Sequence, residues 1–249
     1  MYEAKGHYGD AEPLYERALD TRERVLGAEH PDTLQSRNSL AGLYQAQGRH
    51  EEAEPLYKRA LETRERVLGA EHPDTLQSLN NLAGLYQVQK RYGEAEPLYR
   101  RALKTREKVL EDKHHDTLTS LNNLAELYGK QGRYGEAEAL HRFALAAREK
   151  ALDPEHPDTL ACRNSLAELY NLQGRHEESE SLYQEVLVSR ERVLGTEHPD
   201  TLATHLGLIF TYVNNQKTTL ALQKLRRMDD HLQEFGFIRL KRTWSDEEP

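Results

Sequence analysis

One phrase of five residues recurs along the chain at a constant interval. His-Pro-Asp-Thr-Leu occurs at residues 30–34, 72–76, 156–160 and 198–202, and residues 114–118 repeat it with His115 in place of the proline. Successive copies are 42 residues apart, without insertion or deletion. Self-similarity at a fixed period of this size is typical of arrays in which each unit packs on its sequence neighbours. The interval therefore predicts a repeat architecture.

Each repeat contains two helical patterns. In one repeat Leu79, Leu82, Ala83 and Tyr86 follow the i, i+3, i+4, i+7 spacing of a single helical stripe. A second stripe of the same kind precedes it and consists of Ala53, Leu56, Tyr57, Ala60 and Leu61. The two patterns predict a pair of helices in every repeat.

The ends of these helices are marked by glycine and by the Pro-Asp-Thr triplet. Gly48 separates the two halves of a repeat and Gly69 follows the second half, and glycine provides the left-handed backbone that ends a helix. After Gly69, proline opens the next first helix, and we expect Asp74 or Thr75 to cap its free N–H groups. The sequence therefore predicts an all-α chain of helices joined by short turns.

Charge and composition narrow the class of function. The net charge is −8 and the pI about 5.9, which argues against nucleic acid and anionic membranes as partners. No apolar run is long enough to span a membrane, and the N-terminus lacks a signal-peptide core. Cys162 is the single cysteine, interpreted as a small residue in a helix. These features indicate a soluble protein of a reducing compartment, the cytoplasm.

The wording of the repeat resembles a known family. The residues that carry the resemblance are Asn80-Asn81-Leu82-Ala83-Gly84-Leu85-Tyr86, Gln89, Tyr92, Glu94-Ala95-Glu96, Leu98-Tyr99 and Ala102-Leu103. They resemble the tetratricopeptide repeat, whose usual period is about 34 residues. The longer period and the sequence of the repeat are similar to those of the repeats of kinesin light chains. The resemblance extends over about residues 1–215 and implies a tetratricopeptide-repeat solenoid, with antiparallel helix pairs in a right-handed superhelix.

The same register predicts the organisation of the chain. Residues 1–235 form the array, with a partial first repeat at 1–27, full repeats from about 28 and a divergent capping repeat at about 196–235. The partial repeat starts within a first helix, so we expect an uncapped apolar end through which the protein could self-associate. Residues 236–249 leave the pattern and are expected to be a disordered polar tail. Alternatively Trp244, near Asp246 and the glutamates that follow, resembles acid-flanked tryptophan peptides that kinesin-light-chain grooves bind.

The resemblance also implies a function, because the first helices of such arrays line a concave groove. It predicts a module that binds a partner protein or an extended peptide there. Amide side chains suit this task because each offers a donor and an acceptor to a peptide backbone. The same asparagines could instead bond neighbouring repeats together, and this structural alternative stays open. The candidate site residues are Asn38, Gln77, Asn80, Asn81, Gln87, Asn122, Asn123, Glu126, Lys130, Asn164, Glu168 and Asn171.

Two other functions remain possible from the sequence. The array could be a scaffold or spacer arm that self-associates end to end, or the regulatory part of a larger multidomain protein. Catalysis is not expected, because there is no nucleophile elbow, phosphate-binding glycine loop or CxxC pair, and no cofactor is implied. The repeated histidines should lie about 10 Å apart, too far to share one metal ion. The Arg-Glu-Arg runs at 22–24, 64–66 and 190–192 are expected to be solvated faces with surface ion pairs.

Overall fold

The computed structural model describes residues 8–110 and 114–234, and these residues are all-α, as predicted, without a strand. The predicted start of the array at residues 1–7 and the tail at 236–249 lie outside the described residues. The helices are α1 (Tyr8–Leu26), α2 (Pro31–Ala46), α3 (His50–Leu68), α4 (Pro73–Val88), α5 (Tyr92–Val109), α6 (His115–Lys130), α7 (Tyr134–Ala151), α8 (Pro157–Leu172), α9 (His176–Leu194), α10 (Pro199–Asn214) and α11 (Thr218–Glu234).

The even-numbered helices are the first helices of the repeats and the odd-numbered ones are the second helices. The chain forms two compact units, Met1–Leu140 and His141–Pro249. In the first unit, α1 to α6 pack in order, each on the next, and α2 with α4 and α4 with α6 also touch. In the second unit α8 to α11 pack in the same sequential way, and α8 touches α10.

The predicted apolar stripes form the core. Leu79, Leu82, Ala83 and Tyr86 are all buried on α4, which confirms the first-helix stripe. Cys162 is fully buried in α8, and its thiol donates to the carbonyl oxygen of His141 at 3.7 Å. It therefore occupies the interior position of a small residue.

The residue that caps each first helix differs from the prediction. His72, and not Asp74 or Thr75, is the N-cap of α4, and its Nδ1 accepts a hydrogen bond from the backbone N–H of Asp74 at 3.2 Å. The prediction was wrong because a neutral imidazole also presents an acceptor nitrogen. Asp74 lies in the first turn, where its negative charge interacts favourably with the helix dipole. The Thr75 hydroxyl donates to the carbonyl oxygen of Gly69. His30, His114, His156 and His198 cap their helices in the same way.

Glycine marks the turn between the two helices of most repeats. Gly48, Gly132 and Gly174 have φ of 76–77°, the left-handed conformation predicted for them. Lys90 and Gln216 occupy the equivalent turns with φ of 61° and 58°. These two residues adopt a backbone conformation that is disfavoured for every residue except glycine.

Candidate partner-binding face

One flank of α4 is polar and reaches the surface. Gln77 is exposed and its Nε2 donates to Asn81 Oδ1 at 2.8 Å. Gly84 lies one turn further along, and a Cβ there would lie 3.5 Å from the Tyr99 hydroxyl oxygen. We call this flank, with its equivalents on the other first helices, the open face. It presents amides on α4 and, beside Gly84, helix backbone without a side chain.

The opposite flank of each first helix meets the next repeat. Asn38 of α2 is buried, and its Nδ2 donates to Ser78 Oγ of α4 at 3.1 Å. The same oxygen accepts from the buried guanidinium of Arg64 at 2.8 Å. Asn38 therefore joins two repeats and is not accessible on the open face.

The second unit repeats this junction with threonine in place of serine. Asn164 Oδ1 accepts from Thr204 Oγ1 at 3.1 Å, and Arg190 also donates to that hydroxyl, at 2.6 Å. Arg190 lies 3.5 Å from the amide oxygen of Asn164. Asn164 thus serves the structural role that the sequence left open as an alternative.

The Arg-Glu-Arg runs split between these junctions and the surface. Arg64 also donates to the carbonyl of Asp74 and is 1% exposed, so the expectation of a solvated face is wrong for it. Burial lowers the pKa of Arg64, and the charge of Asp74 opposes that shift. Arg66 is exposed and pairs with Glu29 at 2.8 Å, as expected. The arginine that occupies the Arg64 position contacts a hydroxyl in three further junctions, Arg22 with Ser36, Arg106 with Ser120 and Arg190 with Thr204.

Two further predicted site residues lie at the junctions. Gln87 is buried, and its Nε2 donates to Glu126 of the next first helix at 3.0 Å. Asn171 is buried, and its Oδ1 accepts from Asn214 of the next first helix at 3.2 Å. Both side chains therefore bond the next first helix, which is the structural role that the sequence left open for such amides.

The remaining candidates divide by exposure. Asn80 is 7% exposed, and its Oδ1 has no donor among the described residues. Asn122 and Asn123 are half-buried. Glu126 and Lys130 are exposed and form an ion pair at 2.6 Å on α6. Gln77, Glu126, Lys130 and Glu168 are the exposed candidates, although Glu126 also accepts from Gln87, and Asn81 is half-buried.

Sequence reasoning missed the residues beneath and beside these amides. The buried Tyr57 and Tyr99 of the second helices extend their hydroxyls toward Gly42 and Gly84. The junction hydroxyl of Ser78 was also missed, although serine recurs at residues 36, 78 and 120 with the repeat period. That recurrence was the available signal, since a serine kept at one helical position serves the same contact each time.

The described residues contain no group of three His, Cys, Asp or Glu side chains that could hold a metal ion. The capping histidines instead use Nδ1 for backbone hydrogen bonds. Within the same residues, none of the helices combines the length and apolarity needed to cross a membrane.

A model of the tetratricopeptide repeat family matches the chain over residues 1–66, 37–108, 74–150, 116–187 and 163–227. These overlapping matches cover most of the chain, so it belongs to the tetratricopeptide repeat family, as the sequence of its repeats predicted. Proteins built from such repeats are generally protein-interaction modules. No curated protein matches the sequence.

Among solved structures, the chain is similar to nearly identical TPR-like repeats of a putative kinesin light chain of Podosopora anserina. The identity is 31% over 84% of this chain and 99% of that one, with a TM-score of 0.66. This similarity confirms the kinesin-light-chain style of the repeat. BtubC (BKLC) from P. vanneervenii shares the fold at 22% identity and a TM-score of 0.73, covering 93% of this chain and 94% of its own. A Rap protein complexed with competence and sporulation factor also shares the fold. Its identity is 14% and its TM-score 0.64, and the match covers 94% of this chain and 72% of the Rap chain.

Proposed function

We propose that the chain binds a partner protein, through an extended segment of that partner, along the open face of its first helices. The observation that carries the proposal is the difference between the two flanks of α4. Its junction flank is occupied by Asn80 and Gln87, whereas on the open face Gln77 is exposed and Asn81 is half-buried. Polar side chains that serve no repeat contact are available to a ligand.

The chemistry of this face suits a peptide backbone. The amides of Gln77 and Asn81 offer donors and acceptors to main-chain groups whatever the ligand sequence. Gly84 leaves the helix without a side chain, so a ligand main chain can approach closely. On α6 the equivalent position carries Glu126, paired with Lys130. The face therefore combines sequence-tolerant amides with charges that discriminate among ligands.

The proposal includes no catalytic step, cofactor, nucleic acid or membrane. The buried thiol of Cys162 supports a reducing compartment such as the cytoplasm, where a free cysteine persists.

The test uses peptides selected from a random display library on the purified chain. Binding is then measured by calorimetry for wild type, for Asn81→Ala with Gln77→Ala, and for Gly84→Glu. The double variant removes about two hydrogen bonds, so we expect binding roughly tenfold weaker. Gly84→Glu should abolish binding by filling the approach to the helix.

The chain provides its own controls. Glutamate already occupies the equivalent position in α6 and α8 as Glu126 and Glu168, so Gly84→Glu should not lower the melting temperature. Lys104→Ala alters an exposed residue of the second helix α5 and should bind as wild type does. Selected peptides that bind both open-face variants with wild-type affinity would show that the ligand lies elsewhere.

A further inference from the structure

The first helix α10 is apolar on the flank with which α8 meets its neighbour. In α8, Asn164 and Asn171 accept hydrogen bonds from the following first helix, α10. The 42-residue register puts Leu206 and Val213 of α10 at these two positions, and both are 53% exposed. Phe210 lies between them on the side of the open face and is 58% exposed. The three residues follow i, i+4, i+7 spacing, so they form one continuous apolar stripe.

The second helix α11 shows the same replacement. In α9, Glu180 accepts from the turn before α11 at 2.6 Å, and Tyr183 lies against α10. The register puts Leu222 and Leu225 of α11 at these two positions, where they are 46% and 41% exposed. Because α10 and α11 pack on each other, their apolar residues belong to one surface. We call this surface the end face, and it consists of Leu206, Phe210, Val213, Leu222 and Leu225.

The end face is large enough for a stable contact between two copies of the chain. Its five residues are between 41% and 58% exposed, which amounts to about 500 Å² of apolar surface at roughly 200 Å² per large residue. A patch of this size usually marks an interaction site. Two such faces would bury about 1,000 Å², and homodimer interfaces are about 65% apolar. The whole contact would then bury about 1,500 Å², which lies within the range of specific interfaces.

The composition of α10 favours a second copy as the occupant. From Thr201 to Asn214 the helix contains no lysine, arginine, aspartate or glutamate. His205 is turned to α9, where its Nε2 lies 3.1 Å from Glu191 Oε1. Depletion of charged residues is typical of the centre of an interface, and homodimer interfaces are the most apolar.

The charge of the chain supports the same occupant. Each copy has a net charge of −8, and like charges repel, so two copies meet with the least penalty at a contact without acidic residues. A twofold axis presents the same residues from both copies, and an apolar stripe is complementary to itself. We propose that two copies of the chain pair end face to end face about a twofold axis.

The pairing goes beyond the proposed function, and its test needs no ligand. Sedimentation equilibrium of the full chain over a wide concentration series should give a mass of twice 28.7 kDa. No larger species should appear at the highest concentrations, because a twofold contact closes on itself.

Two variants test the end face from different helices. Leu206→Asn with Val213→Asn gives α10 the residues that α8 has at these positions. Leu222→Glu gives α11 the residue that α9 has as Glu180. Each variant should raise the dissociation constant of the dimer about a hundredfold, because every change acts on both copies.

The control is Val188→Glu, which alters a 66% exposed apolar residue of α9 at the position where α3 has Glu62. It should pair as wild type does, and circular dichroism should show equal helix content in all four proteins. If the asparagine variant loses helix content, Leu222→Glu alone decides the test.

A wild-type chain that stays monomeric overturns the proposal. A mass that keeps growing with concentration also overturns it, because the contact then joins two different surfaces. The same holds for a dimer that Leu222→Glu leaves intact and for a control variant that dissociates as readily as the others.

Discussion

The guanidinium of Arg64 donates to Ser78 Oγ at 2.8 Å, from the second helix of one repeat to the first helix of the next. The same guanidinium donates to Gln35 Oε1 at 3.0 Å. One buried side chain therefore joins α3 to both α4 and α2. Loss of this group affects two helix pairs at once, because each acceptor is left without its charged donor.

Arg64→Ala should lower the free energy of unfolding by about 1.5–3 kcal/mol, the usual contribution of hydrogen bonds to a charged group. Urea unfolding followed by circular dichroism measures the change. Arg66→Ala is the matched control, because Arg66 is exposed and its surface pair with Glu29 contributes less than about 1 kcal/mol. Equal losses for the two variants would contradict the assignment of the junction to Arg64.

Lys90 holds a left-handed backbone, with φ of 61°, at the turn between α4 and α5. Lys90→Gly should raise the free energy of unfolding by about 1 kcal/mol, since glycine removes the Cβ clash of that conformation. Gly132→Lys makes the reverse change at the equivalent turn and should lower it by about the same amount. Urea unfolding of both variants measures these changes. A higher free energy of unfolding for Gly132→Lys would contradict the prediction.

Gly207 lies so close to Tyr183 that an added Cβ would be 2.6 Å from the ring Cζ. Gly207→Ala should therefore lower the free energy of unfolding by about 1–3 kcal/mol, the usual penalty of overpacking. Gly135→Ala is the control, because a Cβ there meets nothing within 4 Å and should cause no loss. If thermal unfolding shows both proteins equally stable, the ring does not occupy that space in solution.

The stability of the protein should also fall at alkaline pH. Burial raises the pKa of Tyr57 to about 12, whereas an unfolded tyrosine titrates at about 10. Between these values the folded state binds more protons than the unfolded state, so the free energy of unfolding declines as pH rises through that window. Tyr57→Phe should make the decline shallower in urea titrations across the window. An unchanged slope would show that the Tyr57 hydroxyl is solvated in the folded protein.

The helices, their turns and the family were predictable from the sequence, because a strict repeat presents each stripe and each turn glycine several times. The orientation of the amides was not. Asn80 and Asn81 are adjacent and chemically identical, yet Asn80 is buried at a junction and Asn81 lies on the open face. Two flanks border every apolar stripe, and the sequence of one repeat does not reveal which flank meets the neighbouring repeat.

The histidine caps and the buried arginines were missed for a related reason. His72 and Arg64 are residue types that usually occur at surfaces, so composition alone favours a solvated interpretation. Their roles depend on the backbone N–H of Asp74 and on Ser78, which only the fold brings within hydrogen-bond distance.

The arginine–hydroxyl contact at the junctions has a consequence for how such genes change in length. Arg22, Arg64, Arg106 and Arg190 each meet a serine or threonine at the same place in the next repeat. A duplication or deletion of 42 codons with its boundary at one of these four junctions therefore brings together an arginine and a hydroxyl that already fit. Unequal recombination can lengthen or shorten the array by one whole repeat without requiring a compensating mutation at the new boundary.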